Sequence, residues 1–184
     1  MSVRALLIFL TALFVFASSC LSSEADPPQT TVVVLQTNRG DIEIELTSAV
    51  APKAYENFIA LVKNGYYDGS LFHRVVKGFM IQGGGTLGTG ENGSSIWGKP
   101  FEDETAPDVI FDRPGIVAMA NSGPNANGTQ FFITTALTPW LTGRHTIFGV
   151  VSAGYVTVKK IERVKTDASE RPVEEQKIIR AFIR

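Results

Sequence analysis

The chain has 184 residues, 44% of them apolar and 19% charged, which is long enough to bury a sizeable core and short for two full domains. Lys and Arg number 17 against 18 Asp and Glu, a formal net charge of -1, so no field attracts nucleic acid or an anionic membrane and neither is an expected partner of the folded domain. The single cysteine, Cys20, rules out an intramolecular disulfide and a four-cysteine zinc site.

The N-terminus differs in kind from the rest. Arg4 precedes the uncharged run "ALLIFLTALFVFA" from Ala5 to Ala17, then the small residues Ser18 and Ser19 stand before Cys20. At about 13 residues the run falls below the roughly 20 needed to span a bilayer, so residues 1–19 are expected to be a signal peptide rather than an anchor. The segment "FASSC" resembles a lipobox, with Cys20 as the candidate for lipidation, although Ala17 stands where an aliphatic residue is commoner. Ordinary cleavage after Ser19, or after Ala25 in "SEA", also satisfies the small-residue rule. Export follows either way: to a bacterial periplasm or as a membrane-anchored lipoprotein, with the lumen of a secretory pathway as the alternative. Residues 20–30, polar and with paired prolines, are expected to be a flexible linker.

The folded domain is expected over 31–184. "TVVVLQT" and "DIEIELT" flank "NRG"; in the second, Ile42, Ile44 and Leu46 alternate with acidic residues, the period of a half-buried strand, and the pair reads as a hairpin. From Pro52 to Lys63 the period becomes helical, with Tyr55, Phe58, Ile59 and Val62 on one face, proline in the first turn and Asn64-Gly65 as the stop. Further strands are predicted at 71–76, 79–82, 116–120, 130–134, 147–151 and 176–183, and a weaker helical pattern through Tyr155, Val158, Ile161 and Val164 precedes the last one. Many short strands, two helices and no strand-helix alternation predict a mainly β fold: a closed antiparallel barrel with the helices outside it.

Several motifs fail on inspection. Gly83, Gly85 and Gly88 satisfy the dinucleotide spacing, but "TGENGSS" cannot open the helix that would hold a pyrophosphate. "GSSIWGKP" approaches a phosphate loop, yet proline replaces the magnesium-binding hydroxyl. The two histidines lack companion ligands for a metal. Asn92-Gly-Ser and Asn127-Gly-Thr match the glycosylation acceptor, which matters only in a eukaryotic secretory pathway.

Three segments remain: "FHRVVKGFMIQGG", "MANSGPNANGTQFFIT" and "WLTGRHTIFG". Strand alternation places Phe72, Arg74 and Val76 on one face with His73, Val75 and Lys77 on the other, and gives Gln130 and Phe132 a common face. Residues 121–129 read as a long polar loop. The expected product is a groove with an apolar floor and polar rims.

Together these segments resemble the cyclophilin family of peptidyl-prolyl cis-trans isomerases from about Val32 to Arg184. The resemblance implies an eight-stranded antiparallel barrel capped by two helices, activity without a cofactor or covalent intermediate, and proline-containing polypeptides as substrates of a monomer that assists folding of exported proteins. By position it implies that Arg74 is the catalytic arginine, that Phe79, Met80, Phe132 and Leu141 form the proline pocket, and that Gln82, Ala120, Asn121 and Gln130 align the peptide backbone. It also places His73, Trp140 and His145 on the same face, and Trp140 implies binding of the inhibitor cyclosporin. Gln82 is expected to brace the guanidinium. Gly85 departs from the family, which usually carries an acidic residue after "QGG", and "TLGTGENGSS" is closer to the short-loop members. The competing reading is a proline-peptide binding module or general chaperone in which isomerisation is incidental.

Overall fold

The computed structural model describes residues 29–86, 91 and 93–184. Residues 1–28, which hold the expected signal peptide, Cys20 and most of the expected linker, and residues 87–90 and 92 of the glycine-rich loop lie outside the described residues.

The first hairpin forms as its alternation requires. Strands β1 (Thr30–Thr37) and β2 (Gly40–Thr47) pair antiparallel with Val33 opposite Ile44 and Leu35 opposite Ile42, and all four side chains are fully buried. Helix α1 (Pro52–Lys63) follows. It buries Ala54, Tyr55, Phe58, Leu61 and Val62, with Phe58 in ring contact with Tyr67, Phe131 and Phe148; burying one such side chain contributes about 2–3 kcal/mol. Ile59, expected on this face, is only partly buried, and Asn57 lies inside instead, donating to Gly128 O and accepting from the Ile96 N–H.

The remaining strands are β3 (Arg74–Val76), β4 (Met80–Gly83), β5 (Ile116–Asn121), β6 (Asn127–Thr134), β7 (Ile147–Ala153) and β8 (Ile178–Ile183), with helix α2 (Tyr155–Glu162) before the last. One eight-stranded sheet has the order β3-β4-β6-β5-β7-β2-β1-β8, and all its pairings are antiparallel. The two end strands do not pair directly. The segment just before β3 closes the gap: Leu71 bridges Lys177, Phe72 N–H donates to Gln176 O and Ile178 N–H donates to Ser70 O. The expected barrel is therefore present, curled and joined at this seam.

That seam corrects the expected face of Phe72. The chain leaves the β8 side and enters the β3–β4 ladder around His73, so strict alternation does not run through it. Phe72 is 1% exposed in the main core beside Val75, while Arg74 faces outward. The expected loop over 121–129 is shorter, because Asn121 ends β5 and Asn127 begins β6. Asn127 is fully buried and donates to Phe101 O and Asp103; a polar side chain with such partners can enter a strand that composition assigns to a loop. Helix α2 stops before Val164.

Candidate active site

The sheet has two faces with separate cores. Toward the interior, Val75, Ile81, Ile133 and Val117 form one row across β3, β4, β6 and β5; the next row outward is Arg74, Gln82, Phe132 and Ala118. Val75, Ile81, Ile133 and Val117 belong to the main core, whereas Ala118 and Phe132 join Met80, Phe111, Ile116, Ala120 and Leu141 in a second apolar cluster on the outer face. Because side chains alternate between faces, the register that fills the barrel also delivers the polar row to the surface.

This outer cluster floors a cavity of about 130 Å3 lined by Arg74, Phe79, Met80, Gln82, Ala120, Asn121, Phe132, Leu141 and His145. Phe132 is stacked on Phe111 and meets the edge of His145. Leu141 arrives from a single 3-10 turn, Pro139–Leu141. The turn carrying Phe79 is fixed from below: Gly78 N–H donates at 2.9 Å to Glu162 on α2. Burial raises the Glu162 pKa, but the Lys159 ammonium and the Gly78 N–H outweigh it, so the carboxyl titrates below its ordinary value.

Arg74 and Gln82 are directly opposed in the β3–β4 ladder, and Arg74 Nη1 donates to Gln82 Oε1 at 3.3 Å. Gln82 Nε2 donates to Gln130 Oε1 at 2.6 Å. The expected brace is thus present, but it is the longer of two contacts: Arg74 Nε donates to Glu170 Oε2 at 2.6 Å. Glu170, 96 residues away in sequence, carried no signal in the linear chain. Across the cavity, Asn121 Nδ2 donates to Asp103 and to Arg144 O, and His145 Nδ1 pairs with Met119 O at 3.0 Å.

Three of the expected residues stand apart from the cavity wall. Gln130 lies behind Gln82 as its acceptor. Trp140 is 57% exposed, its ring 6.0 Å from that of Phe79 at the rim. His73 does not line this cavity: it faces a separate one with Arg171, Pro172, Glu175 and Gln176, and contacts the site through Gln130. His73 faces the side opposite its neighbour Arg74, as strand alternation has it, and not the groove position that the resemblance implies. Burial, together with the Arg171 and Arg74 charges, lowers the His73 pKa against the raising effect of bonds to Leu71 and Gln130.

Gly85 has a structural reason. Its φ is +85°, and a Cβ there would lie 2.4 Å from Glu91 O, a position only glycine occupies without strain. Among the described residues no cluster of three or more His, Cys, Asp or Glu side chains could hold a metal.

An apolar cavity thus lies under an arginine-glutamine pair on the outer wall of an antiparallel barrel. A family model for the cyclophilin type peptidyl-prolyl cis-trans isomerases matches residues 32–182, and the chain belongs to that family. It is 53% identical over 154 residues to a peptidyl-prolyl cis-trans isomerase-like 1 of Gibberella zeae, covering 84% of this chain and 95% of that protein. The human protein of the same name is 52% identical over 150 residues, 82% of this chain and 90% of its own length. Peptidyl-prolyl cis-trans isomerase 9 of Schizosaccharomyces pombe is 55% identical over 150 residues, but this chain spans only 25% of that protein. Among solved structures, a Cryptosporidium parvum cyclophilin type isomerase superposes with a TM-score of 0.82 at 43% identity, covering 85% of this chain and 98% of that one. The same isomerase in the presence of the dipeptide Ala-Pro gives 0.80 at 43% identity, covering 83% and 98%.

Proposed function

We propose that this chain catalyses rotation about X-Pro peptide bonds in flexible or unfolded polypeptides, with Arg74 as the group that acts on the proline nitrogen. The observation that carries the reading is the opposed Arg74–Gln82 pair standing beside a cavity lined by Met80, Phe132 and Leu141. The amide bond presents a barrier of about 20 kcal/mol because resonance must be broken, and uncatalysed exchange runs at roughly 0.01 per second. Reaching about 1,000 per second requires lowering that barrier by about 7 kcal/mol.

No covalent step is needed. In the twisted transition state the nitrogen lone pair is no longer delocalised, so the nitrogen becomes a better acceptor than in either ground state. A fixed donor aimed at it favours the transition state selectively. Arginine stays protonated and can be braced through some of its N–H groups while offering others. The apolar cavity receives the proline ring and excludes water, and the β5 end near Asn121 and Ala120 holds the backbone on one side of the rotating bond. The Ala-Pro dipeptide named with the Cryptosporidium structure is the kind of ligand this site would take. Exposed Trp140 beside Phe79 offers cyclosporin an apolar rim, and we read that peptide as an inhibitor here.

A proline-peptide isomerisation assay tests this. Parent protein should turn over and be inhibited by cyclosporin, and Arg74→Ala should lose most activity while keeping its fold. Proline-peptide binding with negligible parent turnover would instead favour a binding module.

We infer export from residues 1–19 and a role in folding exported proteins, with Cys20 as the lipidation candidate. The reading is supported by the N-terminal sequence alone; the relatives named above are eukaryotic and their names carry no location. Among the described residues no helix is long and apolar enough to cross a membrane. Mass analysis of the mature N-terminus decides: a diacylglycerol adduct on Cys20 supports a lipoprotein, cleavage at Ser19 or Ala25 without lipid supports ordinary secretion, and an intact Met1 refutes export.

A further inference from the structure

Arg74 is held at two points, and the closer one comes from the loop between α2 and β8. Glu170 lies there with φ +62°, an uncommon conformation for a residue with a side chain. The loop around it is tied by its own bonds: Asp167 Oδ1 accepts the N–H groups of Ser169 and Arg171, and Glu170 N–H donates to Asp167 O. Glu170 O in turn accepts Val75 N–H at 2.8 Å, while its carboxylate takes the Nε–H of Arg74 at 2.6 Å. One residue is thereby fixed to β3 through both backbone and side chain, on the strand that carries the arginine.

We propose that Glu170 is a positioning residue for Arg74, an inference that rests on the role given to Arg74 above. A guanidinium is planar, so one acceptor at Nε and a second at Nη1 define its plane and direction. Glu170 and Gln82 are those two acceptors, and Nη2 makes no protein bond among the described residues. Without Glu170, Arg74 would keep only the 3.3 Å contact to Gln82 and would sample rotamers in which its donors miss the proline nitrogen. Misplacing a group that acts in the transition state lowers kcat and leaves ground-state binding nearly intact. Both partners are about two-fifths exposed, at 40% and 43%, and so open a pair contributes little to stability.

The test is Glu170→Ala, with Glu170→Gln as the variant that keeps an acceptor but removes the charge; each keeps a Cβ at the φ +62° position, as the parent does. Turnover of a proline tetrapeptide, with kcat and KM separated, is measured for each variant, for Arg74→Ala, and for Glu170→Ala combined with Arg74→Ala. Glu170→Ala is expected to lower kcat about tenfold with KM within about twofold, and Glu170→Gln to lie between it and the parent. In the Arg74→Ala background the Glu170→Ala change should have no further effect. The Arg74 Nε–Hε NMR signal should be protected from exchange in the parent and lost in Glu170→Ala. Unchanged kcat in Glu170→Ala while Arg74→Ala is impaired, or an equal loss in both backgrounds, overturns the positioning role alone. Undiminished turnover in Arg74→Ala overturns the underlying reading of the site.

Discussion

Gln82 donates to Gln130 at 2.6 Å and accepts from Arg74 at 3.3 Å, so the amide that braces the arginine is itself oriented by the neighbouring strand. An unbraced amide would rotate and offer Arg74 either its oxygen or its NH2 group; the Gln130 acceptor selects the first. Replacing Gln82 with Ala is therefore expected to lower kcat/KM about tenfold, about 1.4 kcal/mol in the transition state. The loss should fall on kcat. Equal kinetics for Gln82→Ala and parent on one proline peptide would contradict the brace.

Helix α1 has no side-chain cap of its own. Its first free N–H groups are met by Glu104 from a distant loop, which accepts from Lys53 at 3.0 Å and Ala54 at 2.9 Å. Negative charge and acceptors at a helix N-terminus stabilise it. Glu104→Ala should cost about 1 kcal/mol, a fall of about 2–4 °C in Tm for a domain of this size. Calorimetry gives the answer, and isomerase activity at 25 °C should be unaffected.

His73 carries a lowered pKa, mainly from burial. Below its ordinary value of 6.5 the unfolded chain takes a proton that the folded chain refuses, so stability is full above that value. It falls as pH drops from there toward the lower folded pKa. Denaturant melts between pH 7.5 and 5.5 should show parent stability declining and His73→Gln declining less. Parallel curves would remove His73 as the source.

Glu162 gives a second window. Its folded pKa lies below 4.5, so its contribution is present above that ordinary value and lost as pH falls through the folded one. Below about pH 4.5 the Glu162→Gln variant should therefore lose stability less steeply than parent, and ring signals of Phe79 should broaden in the parent as the Gly78 turn is released. An acid-invariant Phe79 spectrum would separate the turn from this carboxylate.

Asn127 matches a glycosylation acceptor but is fully buried, with its side-chain nitrogen bonded to Phe101 O and Asp103. Glycan mapping of protein produced in a eukaryotic secretory system should find Asn127 bare in folded material. Asn127→Ala should destabilise by about 1–3 kcal/mol, because the buried Phe101 O and the half-buried Asp103 carboxylate each lose a hydrogen bond. A glycan on Asn127 in correctly folded protein would refute this placement.

What could be read from the chain alone was whatever depends on neighbours in sequence. Alternation of Ile42, Ile44 and Leu46 marks β2 because pleating repeats every two residues, and the spacing of Tyr55, Phe58 and Val62 marks α1 because a helix returns to the same face within a turn. The Arg74, Phe79, Met80 and Gln82 part of the cavity was legible for the same reason, since β3, β4 and their turn are contiguous. The face of Phe72 was placed wrongly because the sheet seam interrupts the alternation there, whereas His73 lies on the side opposite Arg74 as alternation has it and departs only from the groove position that the resemblance implies. Glu170, Asp103, Glu104 and Glu162 left no local signal: each acts on a backbone or side chain distant in sequence, and acidic residues on loops and helices are ordinarily solvated. Tertiary structure alone decided which of them faces water and which holds Arg74, Asn121, α1 or the Phe79 turn. A carboxylate's role depends on the donors that folding brings within hydrogen-bond reach.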